Sequence, residues 1–216
     1  MQHEWNISPA EAIALQKKLA PLVKCENQLD ISAIHTIAGI DVAYKDDLGK
    51  ATIVVLAFPT LEIREEVTIT QQVTFPYVPG LFSFREGPIV LSALALLTIS
   101  PDLLMFDGQG IAHPRRLGLA AHLGVYLDKP SIGCAKSRLI GSYAEPGPEV
   151  EDQSPLYDHE QIVGTVLRSK RQTRPLFISC GNHIDLPTAV AIVMQCMGKY
   201  RLPEPTYQAD KLASFH

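Results

Sequence analysis

The chain has 216 residues, 46% hydrophobic and 19% charged, enough apolar matter for a sizeable core and too much for a wholly disordered chain. Its longest apolar run, Ile89–Ile99, is broken by Ser92 and Thr98 and falls short of the roughly 20 residues of a membrane span, while the opening Met1-Gln2-His3-Glu4-Trp5 is too polar for a leader. A net charge of −4 restricts any nucleic-acid site to a local basic patch, and the cysteines Cys25, Cys134, Cys180 and Cys196 form no CxxC, so a reduced cytoplasmic protein is expected and not a zinc ribbon or disulfide scaffold.

Residues 8–23 read as a helix, with Ser8 as N-cap, Pro9 in the first turn and Glu11 completing a capping box. Its apolar stripe is loose, so it is expected to pack outside the main sheet. Thr36–Ala43, Ala51–Phe58 and Glu62–Val73 are rich in Val, Ile and Thr and joined by short turns, which predicts an antiparallel three-strand meander. A helix is predicted over 86–99, a buried strand at Leu103–Phe106, a helix at Arg115–Leu127 and a strand at Ser131–Ala135. Ile162–Arg168 and Leu176–Cys180 read as strands and Pro187–Met197 as a helix. Residues 143–160 carry acids and turn-formers without Lys or Arg and read as a solvated excursion. A meander followed by β-α-β units predicts an α/β fold with a mixed sheet flanked by helices. One domain over 1–216 is expected, with its core about 34–198, a helical N-terminal extension and an irregular C-terminal one.

Three acids stand in unusual places. Asp41 follows Ala38-Gly39-Ile40, and Asp107 follows four apolar residues and precedes Gly108-Gln109-Gly110. In open sheets, sites form outside the carboxyl ends of strands; such acids also serve as plain turn residues. Glu86 lies on the line of Val90, Ala93 and Leu97, as a dipole partner or aimed at a site beside the sheet. Three converging carboxylates would repel one another, and a divalent cation such as Mg²⁺ removes that cost. His113, in His113-Pro114-Arg115-Arg116, is a loop histidine or a water-positioning one; the arginines, set against a helix dipole, hint at an anionic partner. Lys136 is a solvated lysine or a phosphate neutraliser. Arg168, Lys170, Arg171 and Arg174 form a solvated face or line a phosphate backbone. Phe75–Phe82, with two prolines and Gly80, is a rigid loop or a wedge for stacked bases.

Taken together, Ala38-Gly39-Ile40-Asp41-Val42, Tyr77-Val78-Pro79-Gly80, Phe84-Arg85-Glu86, Asp107-Gly108-Gln109-Gly110, His113-Pro114-Arg115, His122-Leu123-Gly124, Ile132-Gly133-Cys134-Ala135-Lys136 and Leu202-Pro203-Glu204-Pro205-Thr206 resemble the endonuclease V family over nearly the whole chain. The resemblance implies a ribonuclease H-like fold and Mg²⁺- or Mn²⁺-dependent hydrolysis of DNA at the second phosphodiester bond 3′ to deoxyinosine, leaving 3′-hydroxyl and 5′-phosphate ends. It implies Asp41, Asp107 and Glu86 as metal and catalytic acids, with His113 and Lys136 as further catalytic positions. Tyr77, Val78, Pro79 and Gly80 match the strand-separating wedge. Gly80, Phe82, Gly108, Gly118 and Leu139 match the hypoxanthine pocket, where Phe82 stands in place of a smaller aliphatic residue. A monomer without membrane attachment is expected. Two alternatives stay open: the same fold acting on inosine RNA or branched DNA, and a non-catalytic nucleic-acid-binding module.

Overall fold

The computed structural model describes residues 3–26 and 30–215, so Met1 and Gln2 of the polar opening lie outside it. Ser8 opens α1 (Pro9–Leu19) with a reciprocal capping box: Ser8 N–H donates to Glu11 Oε2 at 2.8 Å, and Glu11 N–H to Ser8 Oγ at 3.3 Å. The strands β1 (Thr36–Lys45), β2 (Leu48–Ala57) and β3 (Ile63–Gln72) form the expected antiparallel meander. Then come α2 (Phe82–Leu94), β4 (Leu103–Phe106), α3 (Leu119–Leu127) and β5 (Ser131–Ala135). The chain continues through β6 (Gln153–Asp158), β7 (Gln161–Leu167), β8 (Leu176–Asn182), α4 (Leu186–Gln195) and α5 (Glu204–Ala213). All eight strands join one mixed sheet in the order β3-β2-β1-β4-β5-β8-β7-β6, parallel only at β1–β4 and β4–β5. Among the described residues, no helix is long and apolar enough to cross a membrane.

Side chains alternate across a strand, so neighbouring residues serve opposite faces. Ala38, Ile40, Ile53, Leu104 and Phe106 pack under α2 and α3. Ile37, Met105, Ile132, Cys134 and Ile178 pack under α4 on the other side. There α5 lies over Val54 and Leu56 through Ala209. A Cβ added to Gly39 would stand 1.9 Å from the Pro205 carbonyl oxygen, so the missing side chain lets α5 rest directly on β1.

Four expectations need correction. The excursion at 143–160 contains β6, an edge strand whose buried residues alternate with exposed ones; Pro155 is tolerated there because an edge leaves its missing N–H unneeded. The C-terminal extension is not irregular: α5 buries Thr206, Ala209 and Ala213 along one side. Helix α2 begins at Phe82, so Glu86 lies a turn inside it rather than at its start. Helix α3 begins at Leu119, and Arg115 and Arg116 precede it in a turn where Arg116 has φ +56°. No helix dipole opposes these two arginines, so their position does not call for an anion. Arg115 instead donates to Gln16 Oε1 at 2.5 Å, and Arg116 pairs with Asp158 at 2.6 Å.

Candidate metal centre and base-sized cleft

The phase of three strands builds the centre. Ile37, Met105, Ile132 and Cys134 all face α4, so Asp41, Asp107 and Lys136, each an even number of residues further along, project to that same face. Asp107 N–H donates to the Ile40 carbonyl at 3.0 Å, which carries the β1–β4 register forward and sets Asp107 beside Asp41. From above, α5 adds Asp210. Asp41, Asp107 and Asp210 each offer an oxygen, and these oxygens lie within 4.8 Å of one another. The Lys136 ammonium is paired to both Asp107 and Asp210.

Asp210 is the residue that sequence reasoning missed. Two signals pointed to it: the glycine inside β1, which marks a close backbone approach, and the helical spacing of Thr206, Ala209 and Ala213. Glu86, the expected third acid, reaches the cleft from α2 on the opposite face and stands outside the group of three. Its carboxyl is raised to about 8, by burial and then by the Asp41 charge. Burial and then the Asp107 charge raise Asp41 to about 7. Asp107 is also pushed up by burial, against the pull of Lys136. Burial would lower the Lys136 ammonium, but Asp107 outweighs it and holds the group charged. Crowded hard oxygens whose charges oppose one another suit a divalent cation that keeps part of its shell for water and phosphate.

The acids stand in a cleft of about 500 Å³ that also has Gly80, Phe82, Gly108, Gly118 and Leu139 in its walls. The expected base-pocket residues and the expected catalytic residues thus share one cavity. Tyr77 stands outside it, 67% exposed, with its ring edge-on to Phe82 at 5.1 Å. Pro79 is exposed, whereas Val78 packs against the cluster of Phe75, Leu81 and Phe84. Gly80 has φ +79°, a left-handed conformation that favours glycine, and its carbonyl accepts from Gln16 Nε2 (3.0 Å), His113 Nε2 (2.9 Å) and Arg115 Nη2 (2.8 Å).

His113 Nδ1 accepts from the Arg115 N–H at 3.1 Å, so the ring proton lies on Nε2 and is given to Gly80. Burial and then Arg115 push His113 down to about 4, which keeps it neutral. Both nitrogens are engaged within the protein. The water-positioning role expected for His113 therefore gives way to holding the Gly80 loop.

The Endonuclease V family profile matches residues 17–211. An endonuclease V of Roseiflexus sp. is 49% identical over 211 residues, 97% of this chain and 94% of that protein. The chain belongs to the endonuclease V family. The crystal structure of the Streptomyces avermitilis endonuclease V superposes with a TM-score of 0.92 at 41% identity, over 99% of this chain and 94% of that one. Ciona intestinalis endonuclease V, crystallised with a 23mer DNA containing an inosine followed by a ribo-adenosine, gives 0.83 at 26% identity, over 96% and 97%. The endonuclease V fold is the ribonuclease H-like one expected from the sequence, and the acid cluster and cleft belong to a metal-dependent nuclease.

Proposed function

We propose that this protein is a Mg²⁺-dependent DNA repair endonuclease that nicks the second phosphodiester bond 3′ to deoxyinosine, leaving 3′-hydroxyl and 5′-phosphate ends. It works as a cytoplasmic monomer, and Mn²⁺ would substitute for Mg²⁺. The observation that carries this reading is the meeting of three carboxylates within 4.8 Å in a cleft of about 500 Å³, room enough for one extruded base.

Asp41, Asp107 and Asp210 would hold the cation, which when bound polarises phosphate oxygens and acidifies water. A cation held there would compete with Lys136 for Asp107 and Asp210. Lys136 Nζ turns to a phosphate oxygen and offsets the charge that builds there. Glu86, whose carboxyl is raised to about 8 in the metal-free site, would ionise once a cation offsets the neighbouring Asp41 charge, and the carboxylate would then orient the attacking water from the far wall and take up its proton. Tyr77 enters the stack beside the lesion. Phe82 and the backbone at Gly80, Gly108 and Gly118, with Leu139, enclose the hypoxanthine. His113, Arg115 and Gln16 keep that loop in place through the Gly80 carbonyl.

The test is a duplex with one deoxyinosine, incubated with and without Mg²⁺, and the cut mapped. Cleavage at the second bond on the 3′ side only with the cation is expected. An uncut duplex would end the proposal. The Ciona protein's ligand carries a ribonucleotide after the inosine. An inosine RNA and a branched junction, run at matched salt, therefore separate the DNA reading from its alternatives.

A further inference from the structure

The basic run at 168–174 divides once its partners are counted. Arg168 is buried, pairs with Glu145 at 2.6 Å and donates to the Pro146 and Gly147 carbonyls, each at 3.1 Å. It braces the loop before β6. Arg171 pairs with Glu149 at 2.5 Å. Arg174 is exposed, and its guanidinium makes no hydrogen bond or ion pair with another described residue. It lines a second groove of about 640 Å³ that also has Lys136 and Arg138 in its wall. Arg138 is exposed, with its guanidinium over the Tyr143 ring at 5.7 Å, and Tyr143 is edge-on to Phe177 at 5.5 Å.

A groove with unneutralised guanidinium groups, in a chain whose net charge is −4, fits a polyanion. Its Arg138 guanidinium, held over the Tyr143 ring, offers a surface on which a base can lie. The groove meets the main cleft along Lys136, Ser137 and Arg138; Lys136 is bonded to Asp107 and Asp210, and none of Gly80, Phe82, Gly108, Gly118 and Leu139 stands in its wall, so it opens beside the carboxylates. We propose that this groove carries the single strand on the 3′ side of the scissile bond, with Arg174 and Arg138 on its phosphates. This rests on the reading of the cleft as the place where inosine DNA is cut.

Cleavage of single-inosine substrates with short and long 3′ arms tests it. The wild type should favour the long arm through a lower KM. Arg174→Ala should lose that preference, with a roughly five- to tenfold higher KM on the long arm and a salt dependence shallower by about one counterion. Arg174→Lys should keep most of it, and dependence on the 5′ arm should not change. An Arg174→Ala enzyme that keeps its 3′-arm preference and salt slope would overturn the groove assignment. So would a loss of 5′-arm dependence instead. A wild type that cuts inosine DNA regardless of 3′-arm length removes the groove alone, whereas one that cuts no inosine substrate removes the underlying function.

Discussion

His113 Nε2 donates to the Gly80 carbonyl oxygen at 2.9 Å and ties the loop before α2 to the turn before α3. The same oxygen serves Arg115 of that turn and Gln16 of α1, so one carbonyl joins three parts of the chain. Replacing His113 with Ala removes one of three donors at a cost of about 1 kcal/mol. The expected result is weaker discrimination between inosine and adenine with a smaller change in kcat. His113→Gln, which can still donate, should recover part of it. The folded pKa of about 4 lies below the ordinary 6.5. The unfolded chain therefore binds the proton more readily, and this stabilisation is complete above pH 6.5 and is lost as pH falls toward 4. The nicking rate should show no His113 titration near neutrality.

Asp210→Asn and Asp107→Asn should each lower the nicking rate about 100-fold or more, with binding of inosine DNA largely kept. Single-turnover cleavage beside an equilibrium binding assay reads both. Wild-type-like nicking by either variant in Mg²⁺ would refute the assignment of these acids.

The metal-free protein should lose stability as pH rises. Asp41 and Glu86 have folded values of about 7 and about 8, above their unfolded ones, so between about pH 4 and 8 the folded state holds more protons than the unfolded. Stability then falls through that window as the carboxyls are forced to ionise. Melting temperatures in a chelator should drop across it, and Mg²⁺ should restore them most at the alkaline end.

Gly39→Ala should push α5 off β1, because the Pro205 carbonyl occupies the new methyl's place. Overpacking of this kind costs roughly 1–3 kcal/mol. The sharper expectation is a weaker apparent affinity for Mg²⁺, since Asp210 travels with α5. Titration of the nicking rate with Mg²⁺ would show the shift, and an unchanged midpoint would contradict it.

Tyr77→Ala removes an exposed ring that touches Phe82 but no acid. It should reduce selectivity for inosine over adenine without moving the Mg²⁺ midpoint. Retained selectivity would exclude the wedge role.

The central strands were legible because their burial is written as runs of Val, Ile and Leu, and the period of two places Asp41, Asp107 and Lys136 on one face. The rest was hidden for physical reasons. Helix α5 sits on the sheet through Thr206, Ala209 and Ala213, residues too small to leave a strong apolar stripe, so the segment reads as irregular and Asp210 goes unnoticed. In β6 the inward side chains are Ser154 and Leu156, and a proline and acids surround them. The turn at Arg115-Arg116 needs a positive φ at Arg116, which no hydrophobic period announces. His113 was recognisable as a residue of the site, but the partners of its two nitrogens come from distant segments and local sequence does not disclose them.

Asp210 sits on the last helix, whereas Asp41 belongs to the first strand. The proposed ligand set is therefore complete only once α5 has packed on β1, and a chain cut before Glu204 should not cleave inosine DNA.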